Sequence, residues 1–196
     1  MDNNIDEAVQ KLKEGKIGIF PTDTAYGVGC RADDEAAVKK VYMIRNRPEE
    51  KALLILVDSL EMASQYSEVN DNVKEKLINH YWPGGLTIIL PCKTEKIPPA
   101  VRANGPTIAI RLPNNPMICE VIKKVGVPIV APSANFSGEF TPFSLEDVDQ
   151  ALLKEVDFVL PGVCTMKDIS TIIDTTVSPW KIVREGVIKL DETANN

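Results

Sequence analysis

The chain has 196 residues with a single histidine; 44% are apolar, 26% are charged, and the net charge is −6. That length suits one sizeable core rather than two, and the composition is that of a soluble globular domain. The acidic balance excludes a loose, non-specific grip on nucleic acid, which needs an excess of Lys and Arg against phosphate. The longest apolar run, Ala52 to Val57, is far too short to cross a bilayer. The acidic start, Met1-Asp2-Asn3-Asn4-Ile5-Asp6-Glu7, lacks the basic and apolar regions of a secretory signal. A cytoplasmic protein without a membrane partner is expected. The four cysteines, at 30, 92, 119 and 164, form no CxxC pair, so neither a structural zinc nor a disulfide framework is expected.

The expected elements alternate between two periodicities. Residues 5–14 read as an amphipathic helix, with Ile5, Ala8, Val9 and Leu12 on one face. Lys16 to Phe20 reads as a strand stopped by Pro21. Asp33 or Asp34 can cap a helix that buries Ala37, Val38, Val41 and Tyr42 and ends before Pro48. Leu53 to Val57 is a buried strand, followed by helices over 59–66 and 71–81. Leu86 to Leu90 and Thr107 to Leu112 read as strands, Asn115 to Val125 as a helix, and Ile129 to Ala131 as a short strand. Ser144 and Asp147 have capping-box spacing, which predicts a helix from Ser144 to Leu153. Strands at 158–160, 170–174 and 181–183 complete the set. The pattern implies a single-domain α/β fold over residues 1–190, with one large twisted mixed sheet flanked by helices. The tail 191–196 is expected to be disordered.

No P-loop and no G-x-G-x-x-G is present. With one histidine, acid–base catalysis of the Ser-His-Asp kind would have to run through His80, which sits at an expected helix end. What remains are polar clusters in loops at strand ends, where α/β sheets place ligands. Phe20-Pro21-Thr22-Asp23-Thr24-Ala25-Tyr26-Gly27-Val28-Gly29 sets hydroxyls and free N–H groups after a strand; a structural turn capped by Thr22 and Asp23 is the alternative. Arg45-Asn46-Arg47-Pro48-Glu49-Glu50-Lys51 carries three cations at a helix end. It reads either as dipole complementation or as a side-chain phosphate clamp. Ala131-Pro132-Ser133-Ala134-Asn135-Phe136-Ser137-Gly138 and Ile169-Ser170-Thr171-Ile172-Ile173-Asp174 are dense in hydroxyl and amide groups. Arg111 lies inside an apolar strand and needs a partner if buried: a substrate carboxylate or a structural Asp or Glu.

In their order along the chain, FPTDTAYGVG, RNRPEEKALLILV, YWPGGLTIILP, TIAIRLP, APSANFSG, STIID and VREG resemble the YrdC-like family of threonylcarbamoyl-adenylate synthases. The segments span about residues 16 to 188; none is specific alone, and the ordered set is. The resemblance is to short members, without the extra C-terminal domain of longer ones. It implies a twisted sheet around a concave, positively charged cleft. It also implies a nucleotidyltransferase that makes threonylcarbamoyl-adenylate and pyrophosphate from L-threonine, bicarbonate and ATP. A separate transferase complex then modifies the tRNA adenosine just 3′ of the anticodon. By resemblance, Thr24, Arg111 and Ser170 bind threonine. Arg45, Arg47 and Lys51 hold the ATP phosphates. Ser133 and Asn135 line the nucleotide side, Arg184 reaches the phosphate or adenylate, and Thr87 and Ala109 touch ligand. Mg²⁺ arrives on ATP, with no metal ligand from the protein. The family often has Lys where Arg45 stands, which changes hydrogen-bond geometry but not charge.

No general base is apparent, so catalysis is expected from positioning and charge neutralisation, with Arg47 and Lys51 foremost. Two rivals remain. One is a module that binds tRNA or other structured RNA in the same cleft, against which stand the acidic balance and the lack of a stacking-aromatic motif. The other is a carbamoyl-transfer domain like that of hydrogenase-maturation proteins, whose acylphosphatase-like and zinc-finger segments have no counterpart here.

Overall fold

The computed structural model describes residues 2–190, the side chains of Asp2 and Asn3 excepted; the expected tail lies outside the described residues. The chain forms helix α1 (Asp2–Lys13), strands β1 (Gly18–Pro21) and β2 (Tyr26–Gly29), helix α2 (Glu35–Ile44), strand β3 (Leu54–Leu56) and helix α3 (Leu60–Tyr66). A continuous helical run follows over 71–81, π-helical at Lys74–Ile78. Next come β4 (Leu86–Pro91), β5 (Thr107–Arg111), the helix Pro116–Val125, β6 (Ile129–Val130), the short helix Gln150–Lys154, β7 (Phe158–Val159), β8 (Thr171–Asp174) and β9 (Lys181–Arg184).

Two sheets take the place of the one expected. Three strands run in the order β2-β1-β7 and six in the order β6-β3-β5-β4-β8-β9. The six-stranded sheet is mixed: β3 with β5 and β4 with β8 are parallel, and its other neighbours are antiparallel. The sheets meet where residues 26–32 run antiparallel to residues 128–134. Four backbone hydrogen bonds hold this seam: Val28 N to Pro132 O, Val130 N to Cys30 O, Ala134 N to Tyr26 O, and Ala32 N to Pro128 O. Pro128 and Pro132 offer no N–H, so β6 stays two residues long and the ladder never becomes a continuous sheet. At Gly29 the backbones approach so closely that a Cβ would run into the Val130 carbonyl oxygen.

The apolar periodicity of α1 was read correctly. Ile5, Ala8, Val9 and Leu12 are buried against Ile118, Val121, Ile122 and Val125 of the helix Pro116–Val125. That helix is capped by the Asn115 side chain, which accepts from Ile118 N, and it ends at Gly126 with φ +85°. The second and larger cluster lies on the other face, with Val38, Val41 and Tyr42 of α2 packed on Ile55, Ile88 and Ile110. Asp34 caps α2 by accepting from Ala37 N at 3.0 Å.

The helix expected over 144–153 is a correction. Asp147 does accept from Ser144 N at 2.9 Å, but it also accepts from Phe143 N, and the pair closes a turn. The helix begins at Gln150 with Asp149 as its cap. Among the described residues no helix is long and apolar enough to cross a membrane.

Candidate active site

A cleft with about 410 Å³ of empty space, part of it open to solvent, lies at strand ends on both sides of the seam. The loop after β1 supplies Thr24, the end of β5 supplies Arg111, the segment after β6 supplies Ser133, the residue just before β8 is Ser170, and the end of β9 supplies Arg184. Five residues singled out from separate sequence segments therefore meet in one place. The lining contains two arginines and no carboxylate. Its aliphatic part comes from Ala25, Leu54, Leu56, Ala131 and Ile169.

Arg111 is buried and has its partner within the chain. One terminal nitrogen pairs with Asp23, the other donates to Thr24 Oγ1 at 2.5 Å, and Nε donates to Gly84 O at 2.9 Å. Of the two partners the sequence allowed, a structural acid is the one found. Burial pulls the Arg111 guanidinium below its usual range, and the charge of Asp23 works against that shift. Asp23 also accepts from Asn114 N at 3.1 Å. Thr24 is thus tied to Arg111 on one side and to Thr22 Oγ1, at 3.1 Å, on the other. These bonds use three of the five guanidinium hydrogens of Arg111.

Arg184 donates to Ser170 O from Nε (3.0 Å) and from a terminal nitrogen (2.7 Å), and that nitrogen also reaches Ser170 Oγ at 2.8 Å. Burial lowers its pKa first, and the positive charges of Arg111 and Arg47 lower it further. The charge of Asp168 works against that shift, but no ion pair within 4 Å involves Arg184 among the described residues.

The remaining candidates do not line this cleft. Arg45 is 3% exposed; it donates to Asn135 O at 2.9 Å, to Asn135 Oδ1 at 3.2 Å and to Ser133 Oγ at 3.5 Å. Burial, then the charge of Arg47, lowers its pKa to about 10. Its position organises the Ser133–Asn135 loop, and one terminal nitrogen is buried without a partner. Asn135 also donates to the carbonyls of Phe136 and Glu139. Arg47 donates to Lys51 O at 3.0 Å and Ala52 O at 2.8 Å, fastening the loop that carries the exposed Lys51. Thr87 is fully buried, and its hydroxyl lies 2.9 Å from Ser170 Oγ. Ala109, also expected at a ligand, lies opposite Leu54 and two residues before Arg111, on the sheet face that borders the cleft, but is not among the lining residues. His80 is exposed on the helical run and takes no part.

Sequence reasoning missed Asp23 as the partner of Arg111. It missed Tyr26, whose hydroxyl donates to Gly162 O at 2.6 Å and accepts from Gly162 N at 3.0 Å, pinning the 162 loop beside the cleft. Both stand inside the hydroxyl-rich segment already noted, so the signal was present without its partners. Thr141 lines the cleft from a loop with no pattern to mark it. The four cysteines are free, and burial raises the pKa of each thiol.

The family model Sua5/yciO/yrdC, described as "Telomere recombination", matches residues 10–186. The threonylcarbamoyl-AMP synthase of Bacillus subtilis is 37% identical over 82% of this chain and 46% of its own length. The chain spans about half the length of the first curated relatives it matches. Among solved structures, Sua5 of Pyrococcus abyssi in complex with L-threonine superposes with a TM-score of 0.88 at 34% identity, over 93% of this chain and 53% of that one. YciO of Escherichia coli superposes with the same TM-score at 28% identity, over 100% of this chain and 94% of that one. The match along the sequence and the match in fold agree: the chain belongs to the Sua5/YciO/YrdC family.

Proposed function

We propose that the chain is an L-threonylcarbamoyladenylate synthase, condensing L-threonine, bicarbonate and ATP into threonylcarbamoyl-AMP and pyrophosphate. The observation that carries this reading is the Thr24–Arg111 pair in one small cleft with Ser170 and Arg184. The synthase names of relatives and the threonine in the Pyrococcus abyssi complex support it.

In this reading the neutral amine of threonine takes up bicarbonate to form a carbamate, with loss of water. A carbamate oxygen then attacks the α-phosphorus of ATP, and pyrophosphate leaves. Thr24 and the two remaining guanidinium hydrogens of Arg111 orient the amino acid. Because Asp23 already offsets the Arg111 charge, Arg111 acts as a fixed hydrogen-bond donor more than as a counter-ion. Arg184, with no ion pair within 4 Å among the described residues, meets the anionic nucleotide. Ser133 lies on the nucleotide side, held there by Arg45 and Asn135. Lys51, on the loop fastened by Arg47, meets the outer phosphates. Among the described residues no cluster of three or more His, Cys, Asp or Glu side chains could hold a metal. Mg²⁺ in this reading travels on the ATP phosphates and offsets their charge there. Rate enhancement then comes from holding reactants in register, an effect of about 7–11 kcal/mol in favourable cases.

The product would serve tRNA modification in the cytoplasm, a separate transferase complex passing the threonylcarbamoyl group to adenosine. The test is incubation of the purified protein with ATP, Mg²⁺, bicarbonate and labelled threonine. Adenylate formation with pyrophosphate release that requires both threonine and bicarbonate is expected. Threonine-independent turnover, or none, would overturn the proposal.

A further inference from the structure

Thr87 belongs to β4, beside Ile172 of β8, and its side chain is completely buried. Its hydroxyl has one hydrogen-bond partner among the described residues, Ser170 Oγ at 2.9 Å. Ser170 is 3% exposed, lines the cleft, and accepts from Arg184 at 2.8 Å. The heavy atoms alone do not say which hydroxyl of the pair donates; a count of hydrogens does.

Each hydroxyl has one hydrogen and two lone pairs. If Ser170 gave its hydrogen to Thr87, the Thr87 hydrogen would be buried with no acceptor, and an unmade buried hydrogen bond carries the full desolvation cost of the group. If Thr87 donates, its buried hydrogen is satisfied, and the hydrogen left over is that of Ser170, at the cleft wall. The two lone pairs of Ser170 are then filled, one by Thr87 and one by Arg184. Its own hydrogen is the sole remaining valence, and no described residue accepts it. Ser170 faces the cleft as a donor and can accept nothing there.

We propose that Thr87 is a positioning residue that fixes Ser170 as a dedicated hydrogen-bond donor, so that the ligand atom meeting Ser170 is an oxygen of the amino-acid substrate. The amine, in the protonated form in which threonine arrives, is excluded from that spot, which sets which way round the amino acid enters. The assignment of the ligand atom rests on the proposed synthase reading; the polarity of the pair does not.

Two measurements separate these. Neutron diffraction from the perdeuterated free protein reads the pair directly. A deuteron on Thr87 Oγ1 directed at Ser170 is expected, and a deuteron on Ser170 directed at Thr87 overturns the proposal whatever the protein's activity. Steady-state kinetics then read the role. Thr87→Val keeps the shape and removes the hydroxyl, and should raise the KM for threonine about tenfold. The KM for ATP and the melting temperature should change little, and Thr87→Ser should restore threonine affinity. An unchanged threonine KM in Thr87→Val, or an equal rise for ATP, overturns the positioning role. Failure of the wild-type protein to form adenylate removes the synthase reading instead, and the neutron measurement alone then decides the polarity.

Discussion

Asp23 and Arg111 form an ion pair with almost no exposure of either side chain, 0% and 4%. A buried pair is costly to break from one side, because the surviving charge has no solvent to turn to. Asp23→Asn should therefore destabilise the protein by about 3–5 kcal/mol, read as a lower urea midpoint at unchanged slope. Asp23→Asn with Arg111→Met should cost much less than the two single changes summed. Additive losses would mean that the pair is not coupled.

Arg184 offers a planar fork that holds both the backbone and the hydroxyl of Ser170. Lysine keeps the charge and loses the fork. Arg184→Lys should lower threonine- and bicarbonate-dependent pyrophosphate release by roughly tenfold or more, the worth of one to two charge-assisted bonds. Thermal stability should shift little. Full activity in Arg184→Lys would reduce its role to charge alone.

Burial, more than the nearby Asp23 charge, pushes the Cys164 thiol up from 9.0 to about 11. The folded state keeps a proton that the unfolded chain releases above pH 9. Stability from this group is thus complete below about pH 9 and is lost as pH rises towards 11. Urea midpoints measured from pH 8 to 11 should fall across that window. Cys164→Ala should shallow the fall without abolishing it, since burial raises the Cys30 thiol in the same direction.

Arg47 spends its guanidinium on the carbonyls of Lys51 and Ala52. Arg47→Lys should therefore be nearly as inactive as Arg47→Ala, losing at least ~tenfold in pyrophosphate release through a loosened 51–52 loop. Lys51→Ala should lose activity with no change in melting temperature. Wild-type activity in Arg47→Lys would show that only the charge matters at position 47.

Much of this was legible before any coordinates. The apolar stripe of α1 and the buried runs of β3, β4 and β5 carried their own periodicity. Strand β2 did not, because Tyr26-Gly27-Val28-Gly29 has two glycines in four residues and so lacks strand propensity; its glycines serve the close backbone approach at the seam. Residues 144–149 misled because Asp147 closes a turn with the same spacing that opens a helix. In the site, five cleft-lining residues could be listed from strand ends, but their internal partners could not. Asp23 and Arg111 stand 88 residues apart, as do Arg45 and Ser133, and Thr87 and Ser170 are separated by 83. Such pairings are decided by strand order, which local pattern does not encode.

The seam between the sheets has a bearing on how substrates enter. One wall of the cleft comes from the 22–27 segment and the other from the six-stranded sheet. Four main-chain hydrogen bonds and the bare backbone of Gly29 hold the walls at a set spacing. Apart from position 29, where any side chain would collide with the Val130 carbonyl, that spacing is set by main-chain atoms. Swinging the walls apart as separate bodies would break these four bonds. The main chain, more than any side chain, gauges the width of the cleft.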